Sequence, residues 1–176
     1  MEELKLIEPT IEYDKQIQAF RQEFLFPGAS IHGEGSLMRF NTTVDWLAYL
    51  ETYKRPETAP PGRVPATQYI FVRVSDMKIV GLIQIRHYLN EANAVHGGHI
   101  GYSVCPSERR KGYATQMLRM ALPKCKDLGL GKALITCLQD NAGSRKTILN
   151  NGGVYESTVY VAETNSFFER YWIEIE

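Results

Sequence analysis

The sequence lacks the features that most directly mark secreted, membrane-bound or nucleic-acid-binding proteins. No apolar run is longer than a few residues, and the opening segment MEELKLIEP has neither the basic nor the apolar region of a secretion signal. Lysine plus arginine and aspartate plus glutamate both number 20, so no overall field favours nucleic acid or an anionic membrane. We therefore expect a soluble, cytoplasmic protein that binds neither, and any functional positive charge must be local.

Cysteine is also scarce, which argues against two kinds of stabilising site. Cys105, Cys125 and Cys137 are the three cysteines, an odd number with no C-x-x-C spacing. This pattern predicts neither a disulfide framework nor a zinc site. We expect all three thiols to be reduced and packed in the interior, and we predict no metal site.

The chain does contain enough apolar residues for one core. Its 176 residues are 44% hydrophobic and 23% charged, which suits one good core and is short for two. We therefore predict a single domain over residues 1–176. The proline-rich segment 55–65 excludes regular structure, but we place no domain boundary there, because the helices before it have too little partner surface to form a core alone.

Residues 1–68 show mainly helical periodicity after a short first strand at 4–7. The spacing of Tyr13, Ile17, Phe20 and Phe24 predicts an amphipathic helix, which Pro27 and Gly28 end. A glycine-rich surface loop is predicted over 27–41. A second helix follows, with Thr43 as its cap and a buried stripe that includes Trp46 and Leu50.

After residue 65 the periodicity becomes that of strands with two intervening helices. We predict a hairpin of strands 69–74 and 79–89, and further strands at 98–105, 132–138, 154–160 and 167–175. Helices are predicted at 112–128 and 142–151, the second ended by Asn151-Gly152-Gly153 in a left-handed turn.

The most informative segment is 104–115, which reads V-C-P-S-E-R-R-K-G-Y-A-T. A strand runs into a basic turn with a glycine, and that turn opens directly onto a helix. The turn amides and the unsatisfied first-turn amides point one way, and the helix dipole adds about half a positive charge there. We therefore expect an anion, such as a diphosphate, at the start of this helix.

Two motifs resemble the GNAT superfamily of N-acetyltransferases. Arg109-Arg110-Lys111-Gly112-Tyr113-Ala114 resembles the family signature Gln/Arg-x-x-Gly-x-Gly/Ala, and Asn141-Ala142-Gly143-Ser144-Arg145-Lys146 with Asn151-Gly152-Gly153 resembles its second cofactor segment. The likeness covers residues 69–175, whereas the first third matches only in the order of its elements. It implies an α/β fold (α+β in some schemes), namely a single GNAT-like domain. Its mixed, mostly antiparallel twisted sheet has about seven strands flanked by about four helices, with a V-shaped splay between the fourth and fifth strands.

The resemblance also implies acetyl-CoA as co-substrate, with no metal, in a cofactor-binding core over 69–176. The cofactor would lie between the strand ending at Cys105 and the strand starting at Lys132. Backbone amides would hold its pyrophosphate, contributed by Arg110, Lys111, Gly112, Tyr113, Ala114 and Thr115. The side chains of Arg109, Arg110 and Lys111 would neutralise phosphate charge, although they also suit a solvated basic tip. Asn141 and Ser144 would bond the pantetheine arm, cap the short helix, or do both.

The family reaction is direct attack of an amine on the thioester carbonyl. The resemblance assigns the backbone N–H of Val104 to polarise that carbonyl. The family's usual tyrosine acid falls at Ile148, so the acid would be Tyr102, Tyr155, Tyr160 or water.

The general base is open as well. Tyr102 shares the face of Val104 and is the side chain expected nearest the thioester, whereas His99 lies on the opposite face and more often has a structural role. Glu91, His96 and His32 are loop candidates. Cys105 is a poor nucleophile, since nothing next to it favours a thiolate.

The acceptor site is expected to use residues 1–68. The side chains available are Phe24, Phe26, His32, Glu34, Trp46 and Tyr49. Glu34 suits a cationic amine, whereas Trp46 and Phe24 also suit the core.

The leading hypothesis is therefore transfer of an acetyl group from acetyl-CoA to a primary amine of a small molecule or peptide, with a homodimer as one option. The alternative is a catalytically silent acyl-CoA binding or sensing protein. A P-loop and a dinucleotide fold are excluded, because their glycine motifs are absent.

Overall fold

Seven strands and four α-helices form the main regular structure of residues 2–176, which are the residues that the computed structural model describes. The strands are β1 Leu4–Ile7, β2 Ala66–Arg73, β3 Lys78–Arg86, β4 Ile100–Val104, β5 Lys132–Leu138, β6 Val154–Val161 and β7 Ser166–Glu174. The α-helices are α1 Asp14–Gln22, α2 Thr43–Thr52, α3 Tyr113–Asp127 and α4 Ala142–Leu149.

The strands form two antiparallel sheets, of order β1-β2-β3-β4 and β5-β7-β6. The sheets meet where the His99 amide donates to the Leu134 carbonyl at 2.7 Å and the Leu134 amide donates to His99 Nδ1 at 2.9 Å. A Cβ on Gly98 would lie 2.7 Å from that carbonyl oxygen, so the approach requires glycine. Beyond this junction β4 and β5 are not paired, which confirms the predicted fold and its splay between the fourth and fifth strands.

Helices cover both faces of the first sheet, and each face has its own buried cluster. Ile83 and Ile100 pack with Met117 of α3 on one face. Leu82 packs with Trp46 of α2 on the other. Burial on both faces explains why β2 and β3 are almost continuously apolar, since each such side chain contributes roughly 1.5–3 kcal/mol when it is removed from water.

The predicted cap of α2 is wrong by one residue. Thr42 has the extended backbone of a cap, and its Oγ1 accepts the Asp45 amide at 3.1 Å. Thr43 is buried instead, where its Oγ1 accepts from Gln18 Nε2 at 3.1 Å. Two adjacent threonines suit a cap equally from sequence, and the contact with α1 decides between them.

Some predicted boundaries shift for similar reasons. β3 ends at Arg86 rather than at residue 89, and the last bond in its register is from the His87 amide to the Pro65 carbonyl in the proline-rich connector. β4 starts at Ile100, since the preceding residues Asn93–Gly97 form one π-helical turn.

The prediction for the cysteines is confirmed. Cys105, Cys125 and Cys137 are free and buried. Burial raises the pKa of the first two thiols to about 12 and that of Cys137 to about 11. None of them is a ready thiolate nucleophile. Separately, no helix among residues 2–176 is both long enough and apolar enough to cross a membrane.

Candidate functional site

The turn between β4 and α3 leaves the first amides of the helix open. Arg110 and Gly112 both have left-handed backbone, with φ of 65° and 83°. Gly112 occupies the cap position and no side chain caps the helix. A Cβ built on Gly112 meets nothing within 4 Å. The amide donors and the positive helix end therefore face open space, which suits an anion such as a diphosphate.

A buried carboxylate anchors this turn from beneath. Glu108 is only 5% exposed, and it accepts from Arg73 Nη1 at 2.9 Å and from Lys111 Nζ at 2.8 Å. Lys78 Nζ lies 3.1 Å from its other oxygen. Hydrogen bonds from Arg73 and Lys111 lower the pKa of Glu108 to about 2. Glu108 was not among the predicted site residues, although an acidic residue within a basic segment was the available signal.

The three basic residues of the turn have different surroundings. Arg109 donates from Nε to the Val104 carbonyl at 3.3 Å, and its guanidinium lies over the Phe24 ring, 5.9 Å from the centroid. Lys111 is paired with Glu108. Arg110 is exposed, and no hydrogen bond or ion pair ties its side chain to the rest of residues 2–176. Arg110 is thus the basic side chain with all its donors available.

The hydrogen-bond register of β4 directs alternate amides into the gap between the sheets. The Cys105 amide donates to Val80 of β3 at 2.9 Å. In an antiparallel ladder the bonded residues alternate, so Ser103 faces β3 in the same way. The amides of Tyr102 and Val104 consequently point away from β3, toward the splay.

Three of the predicted site residues meet at the start of α4. The Tyr102 hydroxyl lies 2.7 Å from Ser144 Oγ, and Asn141 Oδ1 accepts the Ser144 amide at 3.0 Å. Asn141 is therefore the cap of α4, as one of the two predicted roles required. Burial raises the pKa of Tyr102 above its ordinary value, so this hydroxyl stays protonated and can donate.

Asn151 joins the first turn of α3 to the last turn of α4. Its Nδ2 donates to the Thr115 carbonyl at 3.2 Å and to the Thr147 carbonyl at 2.9 Å. Asn151 was predicted as part of a helix stop and of the segment that resembles the family's second cofactor segment, but this link between the two helices was not predicted. Ile148 is fully buried in the core, so the position of the family's usual acid is a packing position.

His99 has a structural position. Its Nδ1 is occupied by the Leu134 amide, and its ring lies against Trp172 with centroids 6.2 Å apart. Burial, assisted by the charge of Arg86, lowers the pKa of His99 to about 4. A neutral ring with one nitrogen engaged suits the joint between the sheets better than it suits a general base.

The other acid and base candidates lie at the margins. Tyr155 and Tyr160 are on β6, which β7 separates from β5, and both are exposed. Glu91 is exposed as well. His96 is half-buried beside Phe168, at 5.3 Å between ring centroids.

The predicted surface loop 27–41 is pinned onto β4. The His32 amide donates to Ser103 Oγ at 2.6 Å, and that hydroxyl donates to the His32 carbonyl at 2.8 Å. A Cβ on Gly33 would lie 1.9 Å from the Gly101 carbonyl oxygen, so only glycine allows this contact. The imidazole of His32 remains exposed at the side of β4.

The aromatic acceptor candidates divide between core and surface. Trp46 is fully buried and donates from Nε1 to the Gly35 carbonyl at 2.9 Å, and Phe24 is buried in the same cluster. Neither lines an acceptor site. Phe26 is exposed, and Tyr49 is half-buried with its hydroxyl 3.0 Å from that of Tyr53.

A family model for the GNAT acetyltransferase domain matches residues 30–154. The chain belongs to this family. The match starts before residue 69, so it includes part of the first third of the chain, where a likeness was expected only in the order of the elements. The elements from loop 27–41 to α2 belong to the family pattern although they carry no motif as distinct as the turn before α3. No curated protein sequence matches the chain.

Solved structures support the GNAT fold over the whole chain. A microcin C7 self-immunity acetyltransferase in complex with acetyl-CoA and AMP has a TM-score of 0.67 at 19% identity, covering 98% of this chain and 93% of that one. The ribosomal-protein-S5-alanine acetyltransferase of Vibrio fischeri has a TM-score of 0.67 at 15% identity, covering 100% and 95%. The yncA protein of Salmonella typhimurium, solved with acetyl-CoA, has a TM-score of 0.63 at 8% identity, covering 98% and 94%.

Proposed function

We propose that this GNAT family member transfers an acetyl group from acetyl-CoA to a primary amine of a small molecule or a peptide. One observation carries the proposal: the open amides at the start of α3 and the Val104 amide in the splay belong to consecutive elements. A donor whose pyrophosphate binds the α3 amides can therefore extend along β4 and place its acyl group at the Val104 amide. Family membership and the acetyl-CoA in two similar structures support the choice of donor.

The residues that would hold the donor follow from the turn. The amides of residues 110–115 are the proposed ligands of the pyrophosphate, and Gly112 leaves them accessible. Arg110 would add a charged contact, while Arg109 and Lys111 would act from their bonds to Val104 and Glu108. Asn141 and Ser144 would border the pantetheine arm. Acetyl-CoA supplies the activated acyl group, and the protein supplies position and electrostatics.

Val104 and Tyr102 are the proposed catalytic groups. The Val104 amide would donate to the acyl oxygen, where negative charge develops during attack. The Tyr102 hydroxyl, which its raised pKa keeps protonated, would donate a hydrogen bond to the leaving sulfur, and the thiolate that leaves would take up the proton that the attacking amine loses. The bond to Ser144 Oγ would hold the phenol in place.

The N-terminal elements are proposed to shape the acceptor site. Loop 27–41 lies on β4 beside the splay, and Glu34 on that loop is half-buried. We further propose that the protein is cytoplasmic and binds neither nucleic acid nor membranes, with a homodimer as one option for its assembly.

A silent acyl-CoA binding protein is the second candidate. The observation that favours it is the core position of Ile148, together with the low pKa of His99. Such a protein would bind acetyl-CoA without turnover.

The deciding experiment measures binding and turnover separately. Calorimetry gives the affinity for CoA and acetyl-CoA, and release of free thiol is followed over a panel of amines. The panel includes peptide N-termini and small amines, because one similar structure is a ribosomal-protein-S5-alanine acetyltransferase and another was solved with the small molecule AMP. Binding with thiol release supports the enzyme, and binding without release supports the silent protein. No CoA binding contradicts both.

A further inference from the structure

A polar cavity of about 120 Å³ lies at the far end of β3 from the turn 105–112 between β4 and α3, which we call the phosphate turn after its proposed ligand. Lys78, at the start of β3, donates to Ser107 beside that turn, whereas Arg86, at its end, lines the cavity. Eight residue steps of a strand span roughly 27 Å, so the two places are separate. The proline-rich connector, β3 and the segment before β4 supply the walls.

Arg86 is the main charged group in this cavity. Its Nη1 donates to the carbonyls of Gly97 and Gly98 at 3.2 and 3.0 Å. Nε and Nη2 donate to no group within residues 2–176, and no carboxylate of that part of the chain forms an ion pair with Arg86 or with Arg63 on the opposite wall. Burial and then the charge of Arg63 lower the pKa of Arg86. A half-buried cation with a like charge beside it is costly unless an anion joins it.

Gln84 supplies a further polar group beside Arg86. It precedes Arg86 by two residues and therefore faces the same side of β3. It is only 8% exposed and lines the cavity, yet its side-chain amide has no hydrogen-bond partner within residues 2–176. The polar atoms of this amide are not sealed from solvent, so they open into the cavity and are available to a bound group.

The lining distinguishes between kinds of ligand. Two guanidinium groups and amide side chains offer donors, and no carboxylate lines the cavity. Glu34 acts on Arg86 only through its charge, with neither a hydrogen bond nor an ion pair between the two side chains. A cation or an apolar group would thus be poorly held, whereas a carboxylate or phosphate can accept from a guanidinium in two parallel bonds.

We propose that this cavity is a binding site for an oxyanionic group, a carboxylate or a phosphate, held by Arg86 with Arg63 and Gln84. The group comes either from the acyl acceptor or from a separate small anion. The site does not depend on CoA, which would bind at the other end of β3.

The test is an NMR titration of the ¹⁵N-labelled full chain with sodium acetate and, separately, with sodium phosphate. Ionic strength is held constant with sodium chloride, and CoA is present at saturation so that the phosphate turn is occupied. We expect shifts of the amides of residues 84–98 and of the Arg86 Nε–H signal. Shifts confined to residues 109–115, or no shifts, would overturn the proposal.

Variants separate this site from general anion binding. Arg86→Gln should weaken the anion on the order of tenfold, because it removes a charge-assisted bond. Gln84→Leu, which keeps the volume and the Arg86 bonds to Gly97 and Gly98, should weaken it several-fold. Arg119→Gln, at an exposed position on α3, is the matched control and should leave affinity unchanged. Equal affinity in all variants would refute the assignment.

CoA affinity is measured on the same samples, so the two proposals fail separately. If CoA binds but the anion shifts no signals of residues 84–98, only the proposed anion site is overturned. If the anion shifts these signals but CoA does not bind, only the proposed function is overturned. Where transfer is observed, an increase of the acceptor KM by acetate assigns the oxyanion to the acceptor. An unchanged KM assigns it to a separate anion.

Discussion

Two glycines at opposite ends of α3 provide a matched test of the phosphate turn. Gly112 precedes the helix with φ of 83°, and Gly129 follows it with φ of 82°. A Cβ at either position meets nothing within 4 Å, and both are exposed. Gly112→Glu and Gly129→Glu therefore introduce the same side chain into the same backbone conformation, at the positive and negative ends of one helix.

The two variants should differ in CoA affinity and, in the opposite sense, in stability. Left-handed backbone costs a residue other than glycine about 1–2 kcal/mol, and both variants bear that cost. A carboxylate is favourable at a helix start and unfavourable at its end, so Gly112→Glu should be the more stable by about 1 kcal/mol. Near a bound pyrophosphate, however, the carboxylate that Gly112→Glu introduces would cost about 3 kcal/mol, which is roughly a hundredfold in affinity.

Urea denaturation gives the free energies of unfolding, and calorimetry gives the CoA affinities. We expect Gly112→Glu to bind CoA about a hundredfold more weakly than the original chain, and Gly129→Glu to bind it unchanged. Equal affinities of the two variants would refute the placement of the diphosphate at α3. A lower free energy of unfolding for Gly112→Glu than for Gly129→Glu would refute the argument from the helix dipole, even if CoA affinity falls as expected.

Three further outcomes follow from the side chains of the site. Tyr102→Phe should slow the chemical step at least tenfold with nearly unchanged CoA affinity, and Ser144→Ala should slow it less. If the single-turnover rate of Tyr102→Phe equals that of the original chain at every pH, the phenol has no part in the mechanism. Glu108→Gln should destabilise the protein by about 2 kcal/mol at pH 7. Because the folded pKa of Glu108 is lowered to about 2, this difference in urea denaturation should shrink as the pH falls from about 5 toward 2, and a constant difference would contradict the ion-pair account. Since the pKa of His99 is lowered to about 4, the NMR signals of its ring should not titrate between pH 6 and 8. The free energy of unfolding should fall as the pH falls from about 6.5 toward 4, because the unfolded chain takes up a proton that the folded ring does not. An NMR titration midpoint near pH 6.5 would show that the ring is not buried as described.

Much of the fold was predictable because its signals are local. Alternation and β-branched residues marked the strands, and Gly112 marked the start of α3 by its conformational freedom. The cap of α2 was not predictable, because Thr42 and Thr43 differ only in which one α1 buries.

The site divides in the same way. The start of α3 at Gly112 and the cap of α4 at Asn141 each depend on residues that are close in sequence, so both positions could be predicted from spacing. Glu108 and Arg73 are 35 residues apart in the chain and meet only through the sheet. The bond between Tyr102 and Ser144 likewise spans 42 residues.

The sequence by itself determined the strand and helix pattern, the basic turn before α3 and the resemblance to the family, because each depends on neighbours along the chain. Only the tertiary structure decided that loop 27–41 lies on β4, that His99 joins the two sheets and that Trp46 belongs to the core. It alone brought Arg63, Gln84 and Arg86 to one cavity. These facts depend on which surfaces pack together. What each side chain can do is decided by its burial and by its hydrogen-bond partners across the fold, and not by residue type alone.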